Sequence, residues 1–394
     1  MLPEKMLALG KKRSAIREIF EYGKKRAKEI GADKVFDFSI GNPNVPAPAC
    51  VKEAMLDLVN NEDAVLLHSY TSAPGITEVR EKIAEYINAR FGTKFTADHL
   101  YMTSGASSGL MICAKAMLLP GEEVITFAPY FSEYRVYMES AGGKLVVLPA
   151  DLKHFQIDTE AFEAAVNKNT KAVIINSPNN PSGAIYSAET ITKLSDILRR
   201  KEKEFGHTIY IIADEPYREL VYDDIEVPFI PNFYNNTVVC YSYSKSLSLP
   251  GERIGYIAVS PDMDEWQEMY AAICGAGRAC GYVCASSFFQ LLVAKCVDKI
   301  SDISIYKKNR DILYDGLVKL GYTCVHPDGA FYLFVKALEP DSNAFCEQAK
   351  KHEILLVAGD EFGCPGYVRI SYCVRTDQIE NSLSAFAALA EDYK

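Results

Sequence analysis

Three polar clusters in this chain each close a short apolar run. Residues 237–241 lead into Ser242-Tyr243-Ser244-Lys245, with Arg253 eight residues after the lysine. Residues 208–213 lead into Asp214-Glu215-Pro216-Tyr217, and residues 172–176 into Ser177-Pro178-Asn179-Asn180-Pro181-Ser182-Gly183. A further run, 100–103, opens into Ser104-Gly105-Ala106-Ser107-Ser108-Gly109 just before a helical pattern. Free backbone N–H groups and the positive end of a helix dipole make such a small-residue turn a fit for phosphate. Arg253 offers a planar donor fork suited to the same anion. Each signal alone is weak, because most lysines after strands are solvated and many strand–helix turns are rich in small residues. Together, at the ends of successive runs, they point to one site.

The elements that must position these clusters show as an alternation. Apolar runs at 100–103, 123–127, 144–148, 172–176, 208–213, 237–241 and 254–259 are mostly separated by helical patterns such as 106–118, 131–140 and 188–205. Runs that are apolar on both alternating positions, with helices between them, imply a mostly parallel sheet covered on both faces. In open sheets of this kind ligands gather beyond the carboxyl ends of the strands. The spacing also predicts a helix over 13–30, with Ile16, Ile19, Phe20, Ala27 and Ile30 on one face. A Gly/Pro-rich passage at 41–48 reads as extended or turning chain, and 280–297 as a buried helix. From about Ser301 the character changes to a long helix, a strand at 329–334, another at 368–372 and a final helix. The expected fold class is α/β: a large domain over 46–295 that holds the sheet, and a smaller α+β domain built from 1–45 and 296–394.

A chain of 394 residues, 48% hydrophobic, can bury a sizeable core and is long for a single domain. Its net charge of −10 and pI near 5.3 argue against nucleic acid or an anionic membrane as partner. The odd count of 11 cysteines, spread along the chain behind a charged start with no long apolar stretch, predicts a cytoplasmic protein. No run predicts a membrane span. Cys274, Cys280 and Cys284 lack zinc spacing and a partner histidine, so they read as small core residues and no metal is expected.

With these motifs the chain resembles the class I/II aminotransferases of fold type I, the aspartate aminotransferase superfamily. The resemblance runs from Ile40-Gly41-Asn42-Pro43 through Tyr70-Thr71-Ser72-Ala73-Pro74-Gly75 to Val368-Arg369-Ile370-Ser371-Tyr372. It implies pyridoxal 5′-phosphate (PLP) as cofactor, held by Lys245 as a Schiff base, with the freed lysine then shuttling a proton. By the same resemblance Asp214 faces the pyridine nitrogen, and Tyr217 and Asn180 bond the ring's 3-oxygen. Phe131 stacks on the ring, with Tyr130 the competing choice, while Asn179 is structural. Gly105, Ala106, Ser107, Ser242 and Arg253 would cradle the phosphate. Tyr70 would reach the phosphate of a partner subunit, which implies a homodimer with shared active sites. Arg369, Asn180 and Gly41 would receive the substrate α-carboxylate, although a glycine at 41 also fits a plain turn. The resemblance further implies cis peptide bonds at Asn180–Pro181 and Ala128–Pro129.

The reaction expected is ping-pong transfer of an amino group from an L-amino acid to a 2-oxo acid. β-Elimination by a C–S lyase uses the same residues and stays open as an alternative. A PLP-binding regulator is a remote one, since only about forty residues precede Gly41 and no DNA-binding module shows. The donor is left open between aspartate or glutamate, aromatic and broad aliphatic amino acids. Arg278, in Gly275-Ala276-Gly277-Arg278-Ala279-Cys280, is the candidate for a distal carboxylate, by position rather than by motif. Glu252 beside Arg253, and the acids Asp360 and Glu361, depart from the family pattern and bear on substrate choice.

Overall fold

The computed structural model describes residues 2–11 and 15–394. Seven strands form the main sheet: β1 (Leu100–Thr103), β2 (Glu123–Phe127), β3 (Lys144–Leu148), β4 (Thr170–Asn176), β5 (Tyr210–Asp214), β6 (Thr237–Ser242) and β7 (Gly255–Val259). Their spatial order is β1-β7-β6-β5-β4-β2-β3. Only β7 runs against its neighbours, pairing antiparallel with β1 and β6. The sheet is therefore mostly parallel, and its strands are apolar on both faces because both are covered. Val173, Ile175, Ile211 and Val239 pack into one core cluster. Their alternates Ala172, Ile174, Ile212 and Val238 pack into another on the opposite face. This two-sided burial explains the continuous apolar runs.

The C-terminal part builds a second, antiparallel sheet from Cys324–Val325, Tyr332–Lys336, Tyr367–Ser371 and Val357–Ala358. Helices Ser304–Lys319 and Thr376–Glu391 pack against each other beside it. Phe36–Asp37 pairs in parallel with Ile354–Leu355, so the early chain is stitched to the late chain by backbone hydrogen bonds. The helix expected over 13–30 is described from Ala15 to Ile30, and Arg13 lies outside the described residues. Its inward face is the predicted one, with Gly23 at the closest approach: a Cβ there would meet Asp37 Oδ2 and a Leu355 methyl carbon at 2.8 Å.

Three expectations need correction. The strand placed at 329–334 begins at Tyr332, because Ala330 has φ 58° and its N–H donates to Leu220 O at 2.8 Å, which makes a turn rather than extended chain. The helix read across 280–297 spans only Ser287–Lys295, since Gly281, at φ 78°, follows the end of the preceding helix, Trp266–Ala279. Cys274, Cys280 and Cys284 are half-buried rather than core. The peptide bonds Ala128–Pro129 and Asn180–Pro181 are cis as expected, and Ser177–Pro178 is cis as well. Among the described residues no helix is long and apolar enough to cross a membrane.

Gly255, where β7 passes under the turn at Gly105, leaves no room for a side chain. A Cβ there would lie 2.2 Å from Tyr241 O and 3.1 Å from Gly105 Cα, both backbone atoms that cannot swing aside. Gly255→Ala is expected to destabilise by about 3 kcal/mol. Gly10→Ala, where nothing lies within 4 Å, is expected to stay within about 0.5 kcal/mol. Thermal melts of the two variants side by side check this.

Candidate active site

Parallel pairing brings the strand ends level. Asn176 stands opposite Asp214 in the β4–β5 register, and Asp214 opposite Cys240 in β5–β6. Beyond them opens a cleft of about 280 Å³. Asn180, Asp214, Tyr217, Ser242 and Lys245 border it from the ends of β4, β5 and β6. Ala106 and Ser107 border it from the helix after β1, Phe131 from the loop after β2, and Gly41 and Arg369 from the second sheet's side.

Asp214 is buried, and its two carboxylate oxygens have different fates. Oδ2 accepts a hydrogen bond from the Tyr134 hydroxyl at 2.5 Å, while Oδ1 is buried without a partner. Desolvation pushes the carboxyl up to about 7; the Tyr134 bond opposes this and nearby Glu215 adds to it. A buried acceptor in this state calls for a donor, best a cationic one.

Lys245 Nζ donates to Gly41 O at 2.8 Å and lies 5.2 Å from the centroid of the Phe331 ring. Burial lowers its amine to about 8, and Arg253 and Arg369 push the same way. Near neutral pH a minor fraction is therefore neutral and nucleophilic, far larger than in an exposed lysine.

At the other end of the cleft Gly105, at φ 84°, caps the helix Ala106–Met117. Arg253 Nη2 donates to Ser104 O at 3.2 Å, and Nη1 to Pro250 O and Ser244 Oγ at 3.1 and 3.3 Å. A Cβ on Gly105 would come within 2.6 Å of that guanidinium. Ser242 and Ser244 bond each other at 2.7 Å. Among the described residues Arg253 makes no ion pair, Glu252 included, so its charge is left for an anion.

Arg369 is only 2% exposed. Nη1 donates to Asn180 Oδ1 at 3.0 Å and Nη2 to Ser39 O at 2.5 Å, while Nε is buried with no partner. The guanidinium lies over the rings of Tyr332 and Phe362, at 4.6 and 4.9 Å from their centroids. No carboxylate of the described chain pairs with it. A buried cation of this kind is costly until an anion arrives.

Phe131 faces the cleft and Tyr130 does not; Tyr130 is buried against Gly363 on the far side. Asn179 braces the turn, accepting from Ser182 N and Oγ at 3.0 and 2.7 Å. Two predicted residues are not brought in. Tyr70 is 88% exposed and stands beside Ser286 and Phe288. Arg278 is exposed in the last turn of the helix Trp266–Ala279, not in a loop. Several participants were missed. Tyr134 holds Asp214, Asn176 Nδ2 donates to Asp214 O at 2.8 Å, Tyr332 bonds Tyr217 hydroxyl to hydroxyl at 2.9 Å, and Ile16 borders the cleft from the N-terminal helix. Ile16 had a signal, its place on the amphipathic face. Nothing marks Tyr134 or Tyr332 among 24 tyrosines.

These residues fit PLP. The orphaned Asp214 oxygen matches a protonated ring nitrogen, the Gly105 turn with Arg253 matches a phosphate, and Lys245 supplies an amine for the aldehyde.

Comparison with known proteins gives the family. The family described as aminotransferase class I and II matches residues 33–386. The chain is 31% identical to the putative aminotransferase YugH of Bacillus subtilis over 94% of both chains. It is also 31% identical to the aspartate aminotransferase of Thermotoga maritima, over 89% of this chain and 90% of that one. Among solved structures, an amino transferase from Eubacterium rectale superposes with TM-score 0.98 at 58% identity, covering 100% of this chain and 99% of the other. The aspartate aminotransferase of Thermus thermophilus with maleate gives 0.86 at 25% identity, covering 99% of each. A match across nearly the whole sequence, on the same fold, makes this chain a member of the class I and II aminotransferases, enzymes that use PLP.

Proposed function

We propose that this cleft transfers an amino group from an L-amino acid to a 2-oxo acid, with PLP held covalently on Lys245. What carries the reading is a pair of unmet buried groups in the same cleft as Lys245. Asp214 Oδ1 lacks a donor and the Arg369 guanidinium lacks an anion. When bound, PLP supplies an electron sink for the pair released as the substrate Cα–H bond breaks. Asp214, oriented by Tyr134, accepts from the ring nitrogen, and Phe131 covers the ring. Tyr217 and Asn180 serve the ring oxygen; Asn180 Oδ1 is engaged by Arg369, so its Nδ2 is the end left to donate. Ser242, Arg253 and the N–H groups at Gly105, Ala106 and Ser107 hold the phosphate. Arg369 would grip the α-carboxylate and thereby orient the Cα hydrogen toward Lys245, whose amine, once the substrate amine has displaced it from the cofactor, would take that proton and return it on the other side of the nitrogen.

The proposed assembly is a homodimer with shared sites. The exposure of Tyr70, together with that of Val65, Leu66 and Val283, supports it. The proposed compartment is the cytoplasm, in keeping with eleven free thiols. The chain division into 46–295 and 1–45 with 296–394 is proposed on the same footing. Within the described cleft the three cations, Lys245, Arg253 and Arg369, all have tasks. A distal carboxylate of aspartate or glutamate would need a cation from outside it, and Arg278 of a second subunit is the proposed source.

Borohydride reduction of the cofactor-loaded protein should fix cofactor mass on the peptide that contains Lys245. Lys245→Ala should still bind PLP yet lose turnover by a factor of about 10³ or more. Mass spectrometry and steady-state rates check both.

Because burial holds the Lys245 amine near 8, it is protonated and unreactive below that pH and neutral above it. The rate at which cofactor-free protein captures PLP, followed by absorbance, should rise through about pH 8 and then level off. A rise delayed to the ordinary lysine range would remove the special role of this amine.

Arg278→Ala should cut kcat/KM for aspartate or glutamate by roughly tenfold to a hundredfold while sparing alanine. A donor panel assayed against 2-oxoglutarate, with light scattering to establish the dimer, reads this out. Equal loss for both donor types would exclude Arg278 as the specificity residue.

A further inference from the structure

Tyr332 stands where three site groups meet. It is buried, sits at the start of the strand Tyr332–Lys336 and borders the cleft. Its hydroxyl lies 2.9 Å from that of Tyr217. The same oxygen is pressed against Gly41, where a Cβ would come within 2.0 Å of it. Its ring lies under the Arg369 guanidinium, 4.6 Å from centroid to Cζ. With Tyr217 facing the cofactor's ring oxygen and Arg369 the substrate carboxylate, as proposed above, we propose that Tyr332 is a positioning residue with two separable tasks. Its hydroxyl turns the Tyr217 proton toward the cleft, and its ring holds Arg369 in place for a carboxylate.

The first task follows from counting protons. Burial keeps both phenols protonated: Tyr332 is pushed up to about 12, and Tyr217 is raised well above the usual tyrosine range. Two protons then serve a single oxygen–oxygen contact, so one proton must point elsewhere. Gly41 closes the space around the Tyr332 oxygen, and Tyr217 is the partner within hydrogen-bond reach, so Tyr332 donates. Both tyrosines line the cleft, but the crowding at Gly41 is on the Tyr332 oxygen, so Tyr217 is assigned as acceptor with its own proton toward the cleft. A hydroxyl that accepts one hydrogen bond donates the next more strongly. Negative charge on the cofactor's ring oxygen is thereby favoured, and the nitrogen joining Lys245 to the cofactor loses its proton at lower pH.

The second task is packing against a charge. An aromatic face lowers the cost of a buried guanidinium without neutralising it, unlike a carboxylate neighbour, which would compete with substrate. Gly41 gains a reason beyond a plain turn: its missing Cβ admits the Tyr332 hydroxyl, while its carbonyl receives Lys245.

The test titrates the visible absorbance of the cofactor-loaded enzyme from about pH 5 to pH 10, and measures maleate dissociation constants by the same absorbance. Wild type, Tyr332→Phe and Tyr332→Leu are compared. Tyr332→Phe should raise the spectral midpoint by about half a unit or more and leave maleate affinity within about twofold. Tyr332→Leu should raise the midpoint likewise and weaken maleate about tenfold. Should Tyr332→Leu not fold, Tyr332→Met removes the ring at similar length. An unmoved midpoint in Tyr332→Phe overturns the hydroxyl's task, and unchanged maleate binding in the ringless variant overturns the ring's. Equal loss of maleate binding in both variants overturns the separation of the two. A wild-type absorbance insensitive to pH and to maleate overturns the cofactor and carboxylate assignments themselves.

Discussion

A charged group can be held out of water only if something else satisfies it, and this cleft is built around groups left partly unsatisfied. Asp214, Lys245 and Arg369 are all desolvated, each is shifted toward its neutral form, and none forms an ion pair with another. The penalty for burying such ions is several kcal/mol each even after relaxation. The fold must therefore be stable enough to carry it, and whatever enters the cleft with matching charges releases it.

The contrast between adjacent residues makes the point. Glu215 follows Asp214 and is equally buried, yet Arg218, three residues on in the turn after β5, ion-pairs with it. Glu219 in turn meets Arg90 at 2.8 Å and accepts from the Tyr241 hydroxyl at the same distance. Both acids in that network have a cationic partner and neither borders the cleft, so it serves structure. Asp214 faces the other way, with one oxygen held by Tyr134 and the other left open. Of these two neighbouring acids one is paired into the scaffold and the other borders the cleft with an open oxygen.

Neutral groups do the supporting work around the cations. Arg369 is held by a backbone carbonyl, an amide and two rings, and Arg253 by carbonyls and a serine hydroxyl. Carboxylates in those places would stabilise the empty protein and compete with the phosphate and substrate proposed for this cleft. The geometry keeps both cations oriented yet uncompensated, as the proposed recognition of a cofactor phosphate and a substrate carboxylate requires.

What the sequence by itself determined is whatever local periodicity and chain order encode. Two-sided burial makes strands read as apolar runs, so the main sheet and the polar residues at its carboxyl ends were legible, as was the helix 188–205, found at Ala188–Phe205. Parallel pairing then places Asn180, Asp214 and Lys245 together, because strands in register end level. Contacts between distant segments were decided only in the tertiary structure. Tyr134 and Tyr332 look like core tyrosines until packing aims them at Asp214 and Tyr217, and the choice of Phe131 over Tyr130 turns on which side of one loop faces the cleft. Gly41 read equally as a turn or a contact, and the tyrosine pressed against it comes from nearly three hundred residues away. Side-chain direction at a strand end depends on the neighbour it packs against, and that neighbour is set by the fold, not by the adjacent residues.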